Sequence, residues 1–215
     1  MEFKFVFLGQ SILRYQVPLE IYSILNHIYE TKGPELPPAN KQLVGKIKNE
    51  HSLFYNGSDE SKMKRHNLLT LNVLHWFESM FKHYLEWNKM TEYKISFSSI
   101  WINQMLEHEY NPVHVHQGSL FTGLSSVMIL KLPPSTGVEY SSPHQPQNGK
   151  LQLLGSASGQ FAHIDYQPEL KERDFYIFPY DMRHTVYPFN GPGLRRTLSC
   201  NCDVEYDPIK NRGIS

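Results

Sequence analysis

Eleven histidines are spread along the chain, and three of them stand where they could grip one metal ion. His114 and His116 occur in the segment NPVHVHQGS. Their i, i+2 spacing puts both imidazoles on one face of an extended strand, close enough to share a cation. His184 follows about seventy residues later in FPYDMRHTVYPF, a second strand-like stretch that a closed double sheet can lay beside the first. Two ligands from one strand and a third from a distant strand fix three corners of a metal site and leave its other positions open for substrate. The remaining histidines carry no such pattern. His75 and His83 lie off the apolar stripe of a helix and read as solvated, while His27, His51, His66 and His108 stand alone.

A second cluster of chemistry lies in RRTLSCN. Strand alternation puts Arg195, Thr197, Ser199 and Asn201 on one face and Arg196, Leu198, Cys200 and Cys202 on the other. The first face is polar throughout, so it lines a wet pocket or belongs to an edge strand turned to water. In a pocket, Arg195 with Thr197 presents a guanidinium fork and a hydroxyl to a carboxylate, a bidentate geometry that lysine does not reproduce. Arg196 is the alternative. His163 and Asp165 also form an HxD in FAHIDY, but only about nineteen residues separate His163 from His184, too few for the strands that must intervene, and the pair reads as a rim feature.

These residues need elements to hold them. FKFVFL at residues 3 to 8 is a strand candidate, and Pro18 precedes Leu19, Ile21, Ile24, Leu25 and Ile28 at helical spacing, with Gly33 and Pro34 as the stop. After a polar stretch from Glu35 to about Ser61, the stripe Leu69, Val73, Phe77, Met80, Tyr84 and Trp87 predicts a long amphipathic helix over roughly 62 to 90. From Tyr93 the texture becomes β: ISFSSIWIN, SVMILKLP, KLQLLG, DFYIFP and RRTLSCNCDV are short runs separated by Pro, Gly, Ser and Asn. The expected architecture is mainly β with an α annex: a double-sheet jelly roll over 93–205 packed against a mostly helical part over 1–92, in one domain across 1–215. The polar, proline-rich segment Pro133 to Gly149 is either a lid or a plain surface loop.

Composition narrows the partners. At 215 residues the chain exceeds the size of peptide hormones and knottins, and its 21 basic and 21 acidic side chains cancel, so no global field favours nucleic acid or an anionic membrane. Cys200 and Cys202 are poorly placed for a disulfide, and no apolar run approaches the roughly 18 residues of a spanning helix. The expectation is a cytoplasmic protein without membrane or nucleic-acid partners.

Taken together, WIN, YNPVHVHQGS, SVMILKLP, FYIFPYDMRHTVYPF and RRTLS resemble the iron(II)- and 2-oxoglutarate-dependent oxygenases. Within them the chain is similar to small oxygenases of bacteria and phages, whose first motif reads roughly NxxHxHPGS and whose later motif reads FPxxxxH followed by an arginine. The resemblance spans about residues 93 to 203. It implies a double-stranded β-helix, with His114 and His184 as iron ligands. It also implies that Arg195 and Thr197 bind the far carboxylate of 2-oxoglutarate and that Asn103 touches the co-substrate. The implied reaction uses dioxygen, releases succinate and carbon dioxide, and hydroxylates a protein side chain, prolyl residues included, or a small molecule.

The chain departs from the wider pattern in one place that matters. Most of that superfamily has HxD, and here the second position is His116. Either His116 is itself a ligand, as the closer subfamily's HxH favours, or it supports one and a carboxylate arrives from elsewhere, with Glu139 and Asp181 as candidates. Gln117 stands where the subfamily has proline. Trp101, Tyr110, Phe121, Tyr140, Tyr176, Tyr180 and Tyr187 are either pocket lining or core. Two rivals remain: a cupin-type metalloenzyme, weakened because QGSLFTG holds no glutamate after the histidine pair, and a jelly-roll binding or structural protein without turnover.

Overall fold

The computed structural model of the chain describes residues 9–57, 63–139, 146–156, 159, 160, 162 and 164–211. The strand expected at residues 3 to 8 lies outside them. Two antiparallel sheets face each other. The larger has seven strands in the order β1 (Leu13–Gln16), β9 (Asp174–Pro179), β6 (Gly123–Lys131), β11 (Arg195–Tyr206), β4 (Tyr93–Met105), β2 (Asn49–Tyr55) and β3 (His66–Asn67). The smaller runs β5 (Asn111–His114), β10 (Arg183–Val186), β7 (Leu151–Leu154) and β8 (Asp165–Tyr166). This is the expected double-stranded β-helix, and all five β-type runs become strands.

Alternation along the central strands builds two cores at once. On β6, Leu124, Met128 and Leu130 point to the helices while Val127 and Ile129 point between the sheets; on β9, Phe175 and Ile177 oppose Tyr176 and Phe178 in the same way. Strands buried on both faces read as continuous apolar runs, which is why SVMILK and DFYIF show no polar alternation. The inner core adds Leu151, Leu153 and Val186 from the smaller sheet.

The outer face of the large sheet is covered by α1 (Leu19–Lys32) and α2 (Leu71–Trp87). The buried residues Ile21, Leu25 and Tyr29 of α1 recur every fourth position, the spacing of one helical face. Pro18 is the residue immediately before the helix, with φ and ψ of −55° and 141°. The second helix is shorter than the stripe predicts. It begins after Thr70, because 66–67 pair with β2, and its buried face is Val73, Phe77, Phe81, Tyr84 and Leu85, which leaves Trp87 66% exposed. The amino third is also less helical than its periodicity suggests, since β1, β2 and β3 all join the large sheet.

Arg196 ties α1 to this sheet. Its guanidinium lies 4.5 Å from the Tyr29 ring centroid and donates to Gln104 Oε1 at 3.0 Å and to Glu30 at 3.4 Å. Among the described residues no helix is long and apolar enough to cross a membrane.

Candidate metal centre

The three histidines converge because β5 and β10 pair with His114 directly opposite His184. Val113 and Val115, between and beside the paired histidines, are 53% and 52% exposed, so the alternation that turns them outward turns His114 and His116 inward. Past His114 the ladder ends, and His116 is held by its own N–H, which donates to the Tyr180 carbonyl at 3.0 Å. The following turn is fixed by Asp203. This buried carboxylate accepts from the Ser119 N–H at 2.9 Å and from the Tyr180 hydroxyl at 3.2 Å. Any side chain at Gly118 would collide with the same carboxylate, which explains the glycine of HQGS.

The ring centroids of His114, His116 and His184 lie 4.2 to 5.0 Å apart, and one ring nitrogen from each falls within 4.8 Å of the others. Local hydrogen bonds set the tautomers of two rings. His114 Nδ1 donates to the Pro112 carbonyl at 2.7 Å and His184 Nδ1 to the Met182 carbonyl at 2.9 Å, so each presents the lone pair of Nε2. His116 Nε2 and His184 Nε2 are 3.0 Å apart. Two imidazole nitrogens bound at ~2.1 Å to one divalent cation and at right angles are also separated by about 3.0 Å.

Burial keeps the cluster neutral, as metal binding requires. It pushes the His184 imidazole down to about 3, lowers His114, and together with the neighbouring rings holds His116 well below its ordinary value. Asn201 approaches His116 Nδ1 at 3.4 Å and is itself steadied by Ser125, whose hydroxyl donates to it at 2.8 Å.

A cavity of about 90 Å³ opens beside the rings, lined by Trp101, Asn103, Arg195, Thr197 and Ser199 from the large sheet together with the three histidines. The polar face of β11 therefore lines a pocket, and β11 is a central strand between β6 and β4, not an edge. Arg195 is buried, and its Nε and Nη2 have no partner among the described residues. Burial brings its guanidinium down to about 10, so it stays cationic at neutral pH. An unpaired buried cation is costly, and the cavity in front of it has room for the anion that would compensate it. The indole Nε1 of Trp101, another unpartnered donor, lines the same space.

The other candidate residues lie elsewhere. Arg196 is committed to Tyr29, Gln104 and Glu30 on the opposite face of β11. Glu139 accepts the backbone N–H groups of Gln147 and Asn148, which organises its own loop, and Asp181 accepts from Gln10 at 2.9 Å. Neither carboxylate joins the imidazole cluster. Asp165 sits exposed on β8 bonded to Gln152, and His163 lies outside the described residues. Among the aromatics, Tyr176 and Tyr180 are core residues bonded to Asp174 and Asp203, Tyr187 bonds Gln152, Phe121 is 88% exposed, Tyr110 is also exposed, and Tyr140 lies outside the described residues.

Sequence reasoning missed Asp203 and Glu50. Glu50, on β2, is only 4% exposed and lines the cavity, and burial with help from nearby Glu109 pushes its carboxyl up to about 7. No sequence signal marked it, because NEHSLFY sits between Lys48 and Asn56 and its polar members hide a strand.

Comparison with known proteins agrees with this geometry in class: it is that of the 2-oxoglutarate-dependent oxygenases. Residues 99–201, which carry all three histidines and Arg195, match the family described as "Putative 2OG-Fe(II) oxygenase", a family of enzymes that use iron(II), 2-oxoglutarate and dioxygen.

Among curated proteins, none matches the chain by sequence. Several solved structures match its fold. A prolyl-4-hydroxylase from Pseudomonas putida shares 14% identity, with 91% of this chain and 92% of that one covered at a TM-score of 0.54. A prolyl hydroxylase from Trichoplax adhaerens, in complex with a hypoxia inducible factor peptide fragment, shares 12% identity over 96% of this chain and 87% of that one, with a TM-score of 0.53. The carbocyclase SnoK from nogalamycin biosynthesis shares 11% identity over 93% and 83%, with a TM-score of 0.54.

Proposed function

We propose that the chain hydroxylates a C–H bond of its substrate, with His114, His116 and His184 holding iron(II) and Arg195 and Thr197 holding the far carboxylate of 2-oxoglutarate. The observation that carries this reading is the buried, partnerless guanidinium of Arg195 in the same cavity as three neutral imidazoles. Such a pair of features is costly in an empty protein and is compensated together by a metal and a dianion.

Each residue has a defined task. The three imidazoles present neutral nitrogen donors, two of them locked by backbone carbonyls. Arg195 supplies the charge and the fork that recognise a carboxylate, and Thr197 adds a hydroxyl donor beside it. Trp101 and Asn103 line the same cavity beside them. When bound, the iron and co-substrate supply the oxidising power: R–H, dioxygen and 2-oxoglutarate give R–OH, succinate and carbon dioxide. With three histidines and no carboxylate ligand, the site carries one negative charge fewer than a two-histidine-one-carboxylate triad. The substrate class this supports is a protein side chain, prolyl residues included, or a small molecule, in keeping with both kinds of structural relative. The two helices and the strands of the amino third act with the β-rich part as one unit.

The test is succinate release from 2-oxoglutarate in the presence of iron(II) and dioxygen, with and without candidate peptides. Release that requires iron(II) and is lost in His184→Ala supports the reading, and iron-independent or absent release contradicts it.

A further inference from the structure

We infer that the cavity has a second, acidic pole at Glu50 that seats a cationic nitrogen of the substrate being oxidised, an alkylammonium or a guanidinium. The inference rests on the function proposed above and names the chemistry of the group that the rest of the cavity is built to receive.

Glu50, Asn103 and Thr197 form a row across three neighbouring strands, Glu50 opposite Asn103 on β4 and Asn103 opposite Thr197 on β11. All three line the cavity that Arg195 and the histidines share. Glu50 Oε2 accepts from Asn40 Nδ2 at 3.2 Å, while Oε1 is buried and has no partner among the described residues. Two further acceptor oxygens, Asn103 Oδ1 and Asn111 Oδ1, are equally buried and unpartnered, and both residues line the same space.

Donors and acceptors in the cavity do not balance around iron and 2-oxoglutarate alone. The unpartnered donors are Arg195 Nε and Nη2 and Trp101 Nε1, and a dicarboxylate, which only accepts, can satisfy them. The metal takes the three imidazoles. Neither brings a hydrogen to Glu50 Oε1, and a carboxylate oxygen left dry costs far more than a neutral amide oxygen. The compensating occupant therefore donates, and a positive charge is the strongest compensation for a buried carboxylate.

The local field agrees. Burial and Glu109 both oppose ionisation of Glu50, and only Asn40 favours it. Glu109 is itself occupied with the backbone N–H groups of Lys48 and Leu106. Among the described residues no lysine or arginine bonds Glu50. Leu43, Val44 and Ile47 add an apolar wall beside it, suited to the alkyl stem of a basic side chain or amine.

The experiment is ¹³C NMR of protein carrying carboxyl-labelled glutamate, with zinc(II) in place of iron and 2-oxoglutarate bound. The Glu50 signal is assigned by its loss in Glu50→Gln. With n-butylammonium or n-butylguanidinium at saturation, its titration midpoint should fall by about one pH unit, which corresponds to roughly tenfold tighter binding to the ionised carboxyl. n-Butanol should leave it in place. A midpoint unmoved by either cation, or moved equally by n-butanol, overturns the inference.

A second arm keeps the two readings apart. Wild type and Glu50→Gln should show the same rise in Tm with 2-oxoglutarate. Loss of that rise in Glu50→Gln alone would make Glu50 part of the co-substrate site and overturn the inference. Absence of the rise in wild type would instead contradict the function proposed above.

Discussion

Replacing Arg195 with methionine should push the stability of the protein in opposite directions with and without 2-oxoglutarate. Without it, the guanidinium is fully buried and unpaired, and its fall from 12.5 to about 10 corresponds to about 3 kcal/mol of unfavourable burial. Methionine removes that cost while keeping most of the volume, so the metal-loaded variant should melt several degrees higher than wild type, at roughly 2–4 °C per kcal/mol for a chain of this size.

With 2-oxoglutarate at about a hundred times its wild-type Kd, mass action stabilises wild type by about 2.7 kcal/mol, or roughly 5–11 °C. Truncating one partner of a buried charge pair costs about 2–5 kcal/mol, which weakens binding roughly 30- to 5000-fold. At the same concentration the variant should then gain less than about 1 kcal/mol. Differential scanning calorimetry under anaerobic conditions with manganese(II) reads both arms. An undiminished 2-oxoglutarate shift, or a lower Tm for the ligand-free variant, would refute the assignment of Arg195.

Four further outcomes follow from the same geometry. His114→Ala and His184→Ala should each lose iron(II), with affinity falling on the order of a hundredfold or more, read by metal content after gel filtration. Arg196→Ala should leave the 2-oxoglutarate shift intact while lowering stability by about 1–3 kcal/mol in urea, because it severs the tie to Tyr29 and Gln104. Asp203→Asn should weaken metal binding by about tenfold with circular dichroism unchanged, since it loosens the turn that carries His116 without touching the metal. The metal-free protein should lose stability as pH falls below about 6.5, and the loss should continue toward about 3. The sign follows from the depressed histidines: in that window the unfolded chain binds protons that His184 and its neighbours cannot. A urea midpoint that does not move between pH 7 and pH 5 would contradict it.

How much of this was legible in the sequence depended on what each element buries. SVMILK and DFYIFP announce themselves because both faces are apolar, and the helices because one face is. The histidine pair was readable because a strand alternates strictly, and Val113 and Val115 confirm the alternation. The face of Arg195, Thr197 and Ser199 was readable for the same reason, though only the topology shows β11 to be central.

Other features were hidden because short or polar strands carry little periodic signal. Strand β2, NEHSLFY, looked like part of a polar linker, since a buried glutamate on a strand cannot be told from a solvated one before its neighbours are known. The start of α2 departs from its apolar stripe because 66–67 are claimed by pairing with β2. Asp203 was invisible because its partners, Ser119 and Tyr180, lie 84 and 23 residues away.

On the proposed function, the three imidazoles hold an iron that 2-oxoglutarate joins. Anaerobic absorption spectroscopy on the iron(II)-loaded protein tests it without any knowledge of the substrate. A weak visible charge-transfer band should appear on adding 2-oxoglutarate, and it should be absent in His184→Ala. No band in wild type with both components present, or an unchanged band in His184→Ala, would contradict the account.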